Sequence, residues 1–382
     1  MRAQASPAGC RSRLMKSSMI ASIAAASAAG GDALQRLSLP KSSEFVTNGR
    51  GQRIHVRTQL AAQETCKEAP KGIVVYLHGL HSHGSRIICS TLAAELNAMG
   101  FHFAALDFHG HGHSDGQPGV VASHSDLIDD AHSLLAALYR GPSAAAPCPA
   151  HCLHAPPLPA SCPFFLLGSS MGGAVALVLA NMCCSTVPPA SLHPYSSACC
   201  GAILLAPAIR IKLPWFAPAF ILSPFKAALR WLVLPLSPSS VLPGSFKRAS
   251  APEHPIWDTE EYIAYVDADP ATYHGDLHLS TLCSIIDLSH AALDAASALQ
   301  HHSLRVLAFM DPADAVTDFS GVQALCSTAA AAADGRVTVV EMPGAKHDVL
   351  SNRADAVLQR MAAWLTPAAC HPGTQAARAA PQ

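Results

Sequence analysis

The segment Phe164-Phe165-Leu166-Leu167-Gly168-Ser169-Ser170-Met171-Gly172-Gly173-Ala174-Val175-Ala176-Leu177 decides how this chain is read. Four apolar residues long enough for a buried strand run into a glycine, two serines and a second glycine, and an Ala/Val/Leu helix follows at once. This is G-x-S-x-G between a strand and a helix. A turn that sharp leaves room for only very small residues two before and two after the serine. Gly168 and Gly172 flank Ser170 in that way, whereas Ser169 has Leu167 two positions before it. Such a turn lifts the Ser170 hydroxyl above the sheet and points the N-terminus of the next helix at it. Ser170 is therefore the candidate nucleophile.

Working outward, strands and helices alternate after residue 50, which predicts a mostly parallel sheet covered on both faces. Strands are expected at Lys71–Leu77, Phe101–Leu106, Pro163–Leu167, Gly201–Ala206, Leu304–Phe309 and Arg336–Met342. Helices are expected around Leu92, Leu96 and Met99, over Ser123–Tyr139 with Ser123 as N-cap, over Met171–Met182, after the Leu304–Phe309 strand through Ala324, and up to Trp364. Residues 141–161 are Pro, Ala, Cys and His without a period and read as a surface insertion. The expected organisation is a segment at 1–43, an α/β core over 44–208, a cap or lid over 209–300, the rest of the core over 301–367, and a disordered tail at 368–382. The first forty residues carry Arg2, Arg11, Arg13, Lys16 and Arg36 against one acid, Asp32, amid Ser and Ala. That is either a transit peptide for a chloroplast or mitochondrion or a disordered, uncleaved tail. Without targeting, a cytoplasmic or peripherally membrane-associated protein is expected.

Composition narrows the function. The 382 residues hold 25 Lys and Arg against 26 Asp and Glu, a net charge of −1. There is no basic excess or stripe of the sort a nucleic-acid binder carries, so a small uncharged or apolar substrate is expected. The 13 cysteines are odd in number and scattered, and are read as free thiols. Cys148, His151, Cys152 and His154 have metal-like spacing, but no predicted element holds them, and no metal is expected there.

A serine nucleophile needs a base and a group to orient it, and on this kind of sheet the chain order is Ser, acid, His. His347 follows the Arg336–Met342 strand. Asp311 and Asp314 both follow the Leu304–Phe309 strand, with Asp318 a more distant rival, and position alone does not choose among them. Asp348, next to His347, is expected to be solvated. An oxyanion needs preorganised donors, for which the backbone N–H groups of Met171 and Leu80 are the candidates.

Four blocks carry a family resemblance: LHGLHSHGSR at 77–86, DFHGHGHSDG at 107–116, GSSMGG at 168–173, and PADAVTD with GAKHDVL at 312–318 and 344–350. A weaker one is DPATYHG at 269–275. With these blocks the chain resembles the monoacylglycerol lipase branch of the α/β-hydrolases, the serine aminopeptidase S33 or hydrolase-4 group, from about residue 45 to 366. The resemblance implies an α/β-hydrolase fold with a mostly parallel sheet and an inserted cap. It implies a triad of Ser170, Asp314 and His347, which selects Asp314 over Asp311, and an oxyanion hole at Leu80 and Met171. It implies a lipid ester substrate and no cofactor. His109 and His113 stand where the family has or often has Arg, and Met310-Asp311 where His-Gly is common.

His78 and Gly79 of the same loop are read as substrate-binding. Trp215, Phe216 and Phe220 crowd residues 209–250 and are expected to roof an acyl pocket, on a lid that could also rest on a membrane or lipid-droplet surface. The function expected is a serine esterase, most specifically a monoacylglycerol lipase. Lysophospholipase, phenolic-ester esterase and acyltransferase share the same chemistry. Two different classes stand beside it: a non-catalytic binding protein on this fold, and a metallohydrolase using His78, His81, His83, His109, His111 and His113.

Overall fold

In the computed structural model, the structure describes residues 15–29, 33, 44–61, 70–140, 153, 157–185, 188–192, 195–212, 240–243, 250, 253–299, 304–326 and 335–365. Eight strands form one sheet in the order β1-β2-β4-β3-β5-β6-β7-β8. They are β1 (Glu44–Thr47), β2 (Arg53–Gln59), β3 (Gly72–Leu77), β4 (Phe101–Leu106), β5 (Phe164–Ser169), β6 (Cys199–Leu205), β7 (Val306–Met310) and β8 (Val337–Glu341). From β4 to β8 every neighbour is parallel, while β1 and β2 add an antiparallel edge.

The apolar runs are strands because both faces of the sheet are covered. In β3, Ile73, Val75 and Leu77 enter one core and Val74 and Tyr76 the other. The first core is closed by helices α3 (His124–Arg140), α4 (Met171–Cys184), α6 (Leu279–Ala298) and α7 (Phe319–Leu325). The second is closed by α1 (Met15–Ala29), α2 (Ile87–Ala98), α5 (Glu260–Asp267), α8 (Val349–Asn352) and α9 (Ala354–Trp364). Chain order runs from β3 outward to β4 and back to β5, and the helices following β3 and β5 lie on opposite faces. The crevice at the carboxyl ends of β3 and β5 is thus a topological switch point, where sheets of this type build their sites. This is an α/β-hydrolase fold.

Three features depart from the expected organisation. The β1–β2 hairpin was not expected, because RIHVRTQ alternates apolar with charged side chains that are nevertheless covered: His55 and Arg57 are both buried. Residues 15–29, inside the segment expected to be disordered or a transit peptide, form the Ala-rich helix α1, and Met19 and Ile23, four residues apart, fill the second core. Burying a side chain such as Ile23 contributes about 1.5–3 kcal/mol to seating this helix. Finally, α6 falls in the stretch expected to be cap, yet it packs along α4 and buries Leu288, Ala292 and Ala295 in the first core. Residues 213–239, with Trp215, Phe216 and Phe220, lie outside the described residues, as does most of 141–161. Among the described residues no helix is long and apolar enough to cross a membrane.

Candidate active site

The turn between β5 and α4 is as tight as the glycine spacing implied. Ser170 has φ 51° and ψ −114°, a left-handed backbone conformation rare for a side chain with a Cβ. A Cβ on Gly168 would run into the carbonyl of Gly172, and one on Gly172 into the carbonyl of Leu77, so neither position admits alanine. The strain is held by hydrogen bonds on both sides. Ser170 N–H donates to Leu205 O at 2.8 Å, and Gly173 N–H and Ala208 N–H donate to Ser170 O at 3.0 and 2.9 Å.

The structure brings Ser170, His347 and Asp314 into one hydrogen-bonded line. His347 Nε2 is 2.9 Å from Ser170 Oγ, and His347 Nδ1 is 2.7 Å from Asp314 Oδ2. Asp314 Oδ1 accepts the backbone N–H groups of Val316 at 2.7 Å and Thr317 at 3.1 Å, and its Oδ2 also accepts Thr317 Oγ1–H at 3.0 Å. Burial alone would raise the Asp314 pKa, but the hydrogen bond and charge of His347 and those two N–H donors hold it below the usual carboxylate range. An ionised Asp314 accepts from Nδ1–H, which leaves Nε2 free to take the serine proton. This arrangement can do general-base and nucleophilic chemistry.

The rival acid has another task. Asp311 Oδ1 accepts Ala313 N–H at 2.9 Å and its Oδ2 accepts Lys346 N–H at 2.8 Å, so it ties the two loops that carry Asp314 and His347. Asp318 caps α7 through Ser320 N–H. Asp348 was expected to be solvated and is not. It caps α8, accepts from the Trp257 indole N–H at 2.9 Å and from Ser351 Oγ–H at 2.8 Å, and lies 3.6 Å from the Arg86 guanidinium.

Gly79, Leu80 and Met171 line the same cavity as Ser170 and His347. Met171 is the first residue of α4, whose opening N–H groups have no partner within the helix. The cavity has a volume of about 550 Å³ and walls that include Ile211, Ile256, Trp257, Val266 and Leu277. Its size is in the range of small-molecule sites, and the apolar walls suit a hydrocarbon chain. His81, read from sequence only as a candidate metal ligand, lines it too, as do Thr272 and Tyr273, which the sequence reading does not assign to the site. The only hint was the DPATYHG block.

His78 is corrected. It is fully buried away from the cavity, with Nδ1 2.7 Å from Gly79 O and Nε2 accepting Phe108 N–H at 2.9 Å, and so it fixes the loop rather than touching substrate. Two other histidines of these blocks are paired with buried carboxylates. His83 meets Asp269 at 2.7 Å, and His109 meets Asp130 at 2.7 Å, where Arg50 and Asn48 take the second oxygen. Among the described residues no group of three His, Cys, Asp or Glu is placed to hold a metal ion.

These buried rings make stability sensitive to acid. His78 and His81 are pushed down to about 3 and His111 to about 4, each by burial first, with repulsion from neighbouring imidazoles adding to it. Below the ordinary value of about 6.5 the unfolded chain binds protons at these positions that the folded chain refuses, so stability falls with falling pH. The melting temperature is expected to drop between about pH 7 and about pH 5, and to drop less steeply in His111→Gln. A slope unchanged by that substitution would count against His111 as a contributor. Asp107, Asp130 and Asp314, all held low, add loss of the same sign only below about 3.8.

The family model described as serine aminopeptidase, S33, matches residues 68–354, which spans both halves of the sheet and all three aligned side chains. The chain belongs to this family. It is therefore a serine α/β-hydrolase. Among solved structures, this S33 hydrolase is similar to a monoacylglycerol lipase of Paleococcus ferrophilus, at 21% identity and a TM-score of 0.57 over 82% of this chain and 98% of that one. It is similar to a soluble variant of the Saccharomyces cerevisiae monoglyceride lipase, at 16% identity and a TM-score of 0.59 over 86% and 95%. A thermostable carboxyl esterase of Bacillus coagulans gives 16% identity and a TM-score of 0.58 over 86% and 98%. At such identities the likeness speaks to the fold. No curated protein matches the chain.

Proposed function

We propose that this S33 hydrolase cleaves carboxylic esters through an acyl-enzyme, with a monoacylglycerol as the preferred substrate. The observation that carries the reading is the hydrogen-bonded line from Asp314 through His347 to Ser170 at the floor of an apolar cavity. Ser170 Oγ attacks the ester carbonyl while His347 Nε2 takes its proton. Leu80 and Met171 N–H groups receive the oxyanion, and Asp314 stabilises the imidazolium. His347 then returns the proton to the leaving alcohol and activates the water that releases the fatty acid. No cofactor enters these steps. The esterase and lipase neighbours and the apolar walls support a single-chain lipid ester.

The test is a panel of monoacylglycerols, lysophospholipids and short p-nitrophenyl esters against the purified protein. The expected result is a higher kcat/KM for the monoacylglycerols than for any other member. Turnover of the short soluble esters alone would remove the lipid substrate while leaving the esterase.

A further inference from the structure

The loop that presents His347 has no regular structure between Met342 and Asp348, and Lys346 within it has φ 56°. Its position is set by what it touches. On one side Asp311 accepts Lys346 N–H. On the other lies the strip of residues 254–258. His347 N–H donates to Pro255 O at 3.4 Å and Asp348 N–H to Ile256 O at 3.2 Å. Lys346 Nζ donates to Trp257 O at 3.0 Å, and the Trp257 indole reaches Asp348. Asn352 Nδ2 joins the two segments by donating to Ile256 O and Ala345 O, both at 2.7 Å.

The strip in turn is anchored at its end, Asp258, and one of the anchors is the N-terminal helix. Lys16 Nζ, on the first turn of α1, lies 3.1 and 3.0 Å from the two Asp258 carboxylate oxygens and 2.9 Å from Asn352 O. Arg353 Nη1 completes the cluster at 2.6 Å from Asp258. Burial would raise the Asp258 pKa, yet these two cations hold it low. Helix α1 is itself seated by Met19 and Ile23 against α5, α9 and α2. One ammonium from the far end of the sequence thus grips both ends of the hydrogen-bonded frame around the His347 loop.

We propose that α1 braces the candidate general base, with Lys16 as a positioning residue acting through Asp258 and Asn352 on His347. The inference rests on the reading of His347 as that base. A partly solvated ion pair such as this one contributes modestly to stability. Alignment is more sensitive: a displacement of about 1 Å at a reacting group can cost about 10²-fold in rate. The Lys16 contacts act on the loop that fixes the 2.9 Å separation of His347 Nε2 and Ser170 Oγ. Removal of the N-terminal segment as far as Ala29 would take the brace with it.

The experiment uses the full chain and a short p-nitrophenyl ester, so that it does not depend on which lipid is preferred. In Lys16→Met, kcat is expected to fall about tenfold at unchanged KM, short of the ~10²-fold for a full ångström. Lys16→Arg is expected to recover most of it, and deletion of residues 1–30 to lose at least as much as Lys16→Met. The downfield proton resonance of the His347 Nδ1–H bonded to Asp314 is expected to broaden in Lys16→Met. Wild-type kcat in both Lys16→Met and the deletion, even at a lowered melting temperature, would leave α1 a packing element and overturn the brace. So would a folded Lys16→Arg as slow as Lys16→Met. An inactive wild type would sink the esterase reading instead, and the proton resonance would still decide the brace.

Discussion

Ser170→Ala is expected to lower kcat for ester hydrolysis by about 10⁶-fold and to abolish labelling by a fluorophosphonate, with the fold intact. The magnitude follows from removing the nucleophile of a unit whose members act together, so that the loss of one costs nearly as much as the loss of all. The fold should survive because the strained turn at Ser170 is held by backbone hydrogen bonds to Leu205 and from Ala208, not by the hydroxyl. A residual rate of about 10³–10⁴ over water would remain from the oxyanion donors and binding. Ser169 is the control that sharpens the test. It also lines the cavity, but it is the last residue of β5, in register with Leu205, and is not the serine that meets His347. Labelling that persists in Ser170→Ala would transfer the nucleophile elsewhere. Activity that persists in Ser170→Ala and disappears with a chelator would revive the metallohydrolase.

What could be read from sequence followed the range of the interaction involved. Gly168, Ser170 and Gly172 were legible because the constraint is local: two carbonyls crowd the positions where a Cβ would sit, and only glycine fits. β3 and β5 were legible because a strand buried on both faces must be a continuous apolar run. The choice of Asp314 over Asp311 was not local. Both carboxylates are buried three residues apart on one loop, and what separates them is which one faces an imidazole from the next loop. Only the family blocks carried that information. The partners of the histidine-rich blocks are hidden from sequence for the same reason. His83 and Asp269 are 186 residues apart, and nothing in either segment announces the other. His78 was read as substrate-binding because it sits beside the cavity loop, yet its two ring nitrogens are both committed to the backbone.

Helix α1 was hidden by composition. Its Ser and Ala resemble a targeting segment, and its two large buried residues are too few to produce a strong periodic signal. Helix α6 reads as cap because no strand precedes it between the end of β6 at Leu205 and its own start at Leu279 among the described residues, so the alternation gives it no place in the core. In both cases the missing fact was a packing partner supplied by a distant part of the chain.

Asp314→Asn is the second large effect expected, a loss of about 10⁴-fold in kcat at nearly unchanged KM. The argument is one of hydrogen-bond direction. Asp314 Oδ1 accepts two backbone N–H groups, from Val316 and Thr317, and only an oxygen can stay there. The asparagine carbonyl must therefore keep that side, which turns its NH₂ toward His347 Nδ1. A donor at that position forces Nδ1 to be the unprotonated nitrogen, so the proton moves to Nε2 and faces Ser170 Oγ. The imidazole then keeps its place and its 2.9 Å contact but has no lone pair for the serine proton. Thr317 Oγ1–H loses the closer of its two acceptors and keeps only Ala206 O at 3.5 Å. Asp311→Asn has a different consequence, because its two acceptor bonds hold the loops and not the tautomer, and its loss should be smaller. Steady-state kinetics of the two variants, with a proton spectrum of the imidazole region, separate the roles. Asp314→Asn within tenfold of wild type, with Asp311→Asn inactive, would exchange the two assignments.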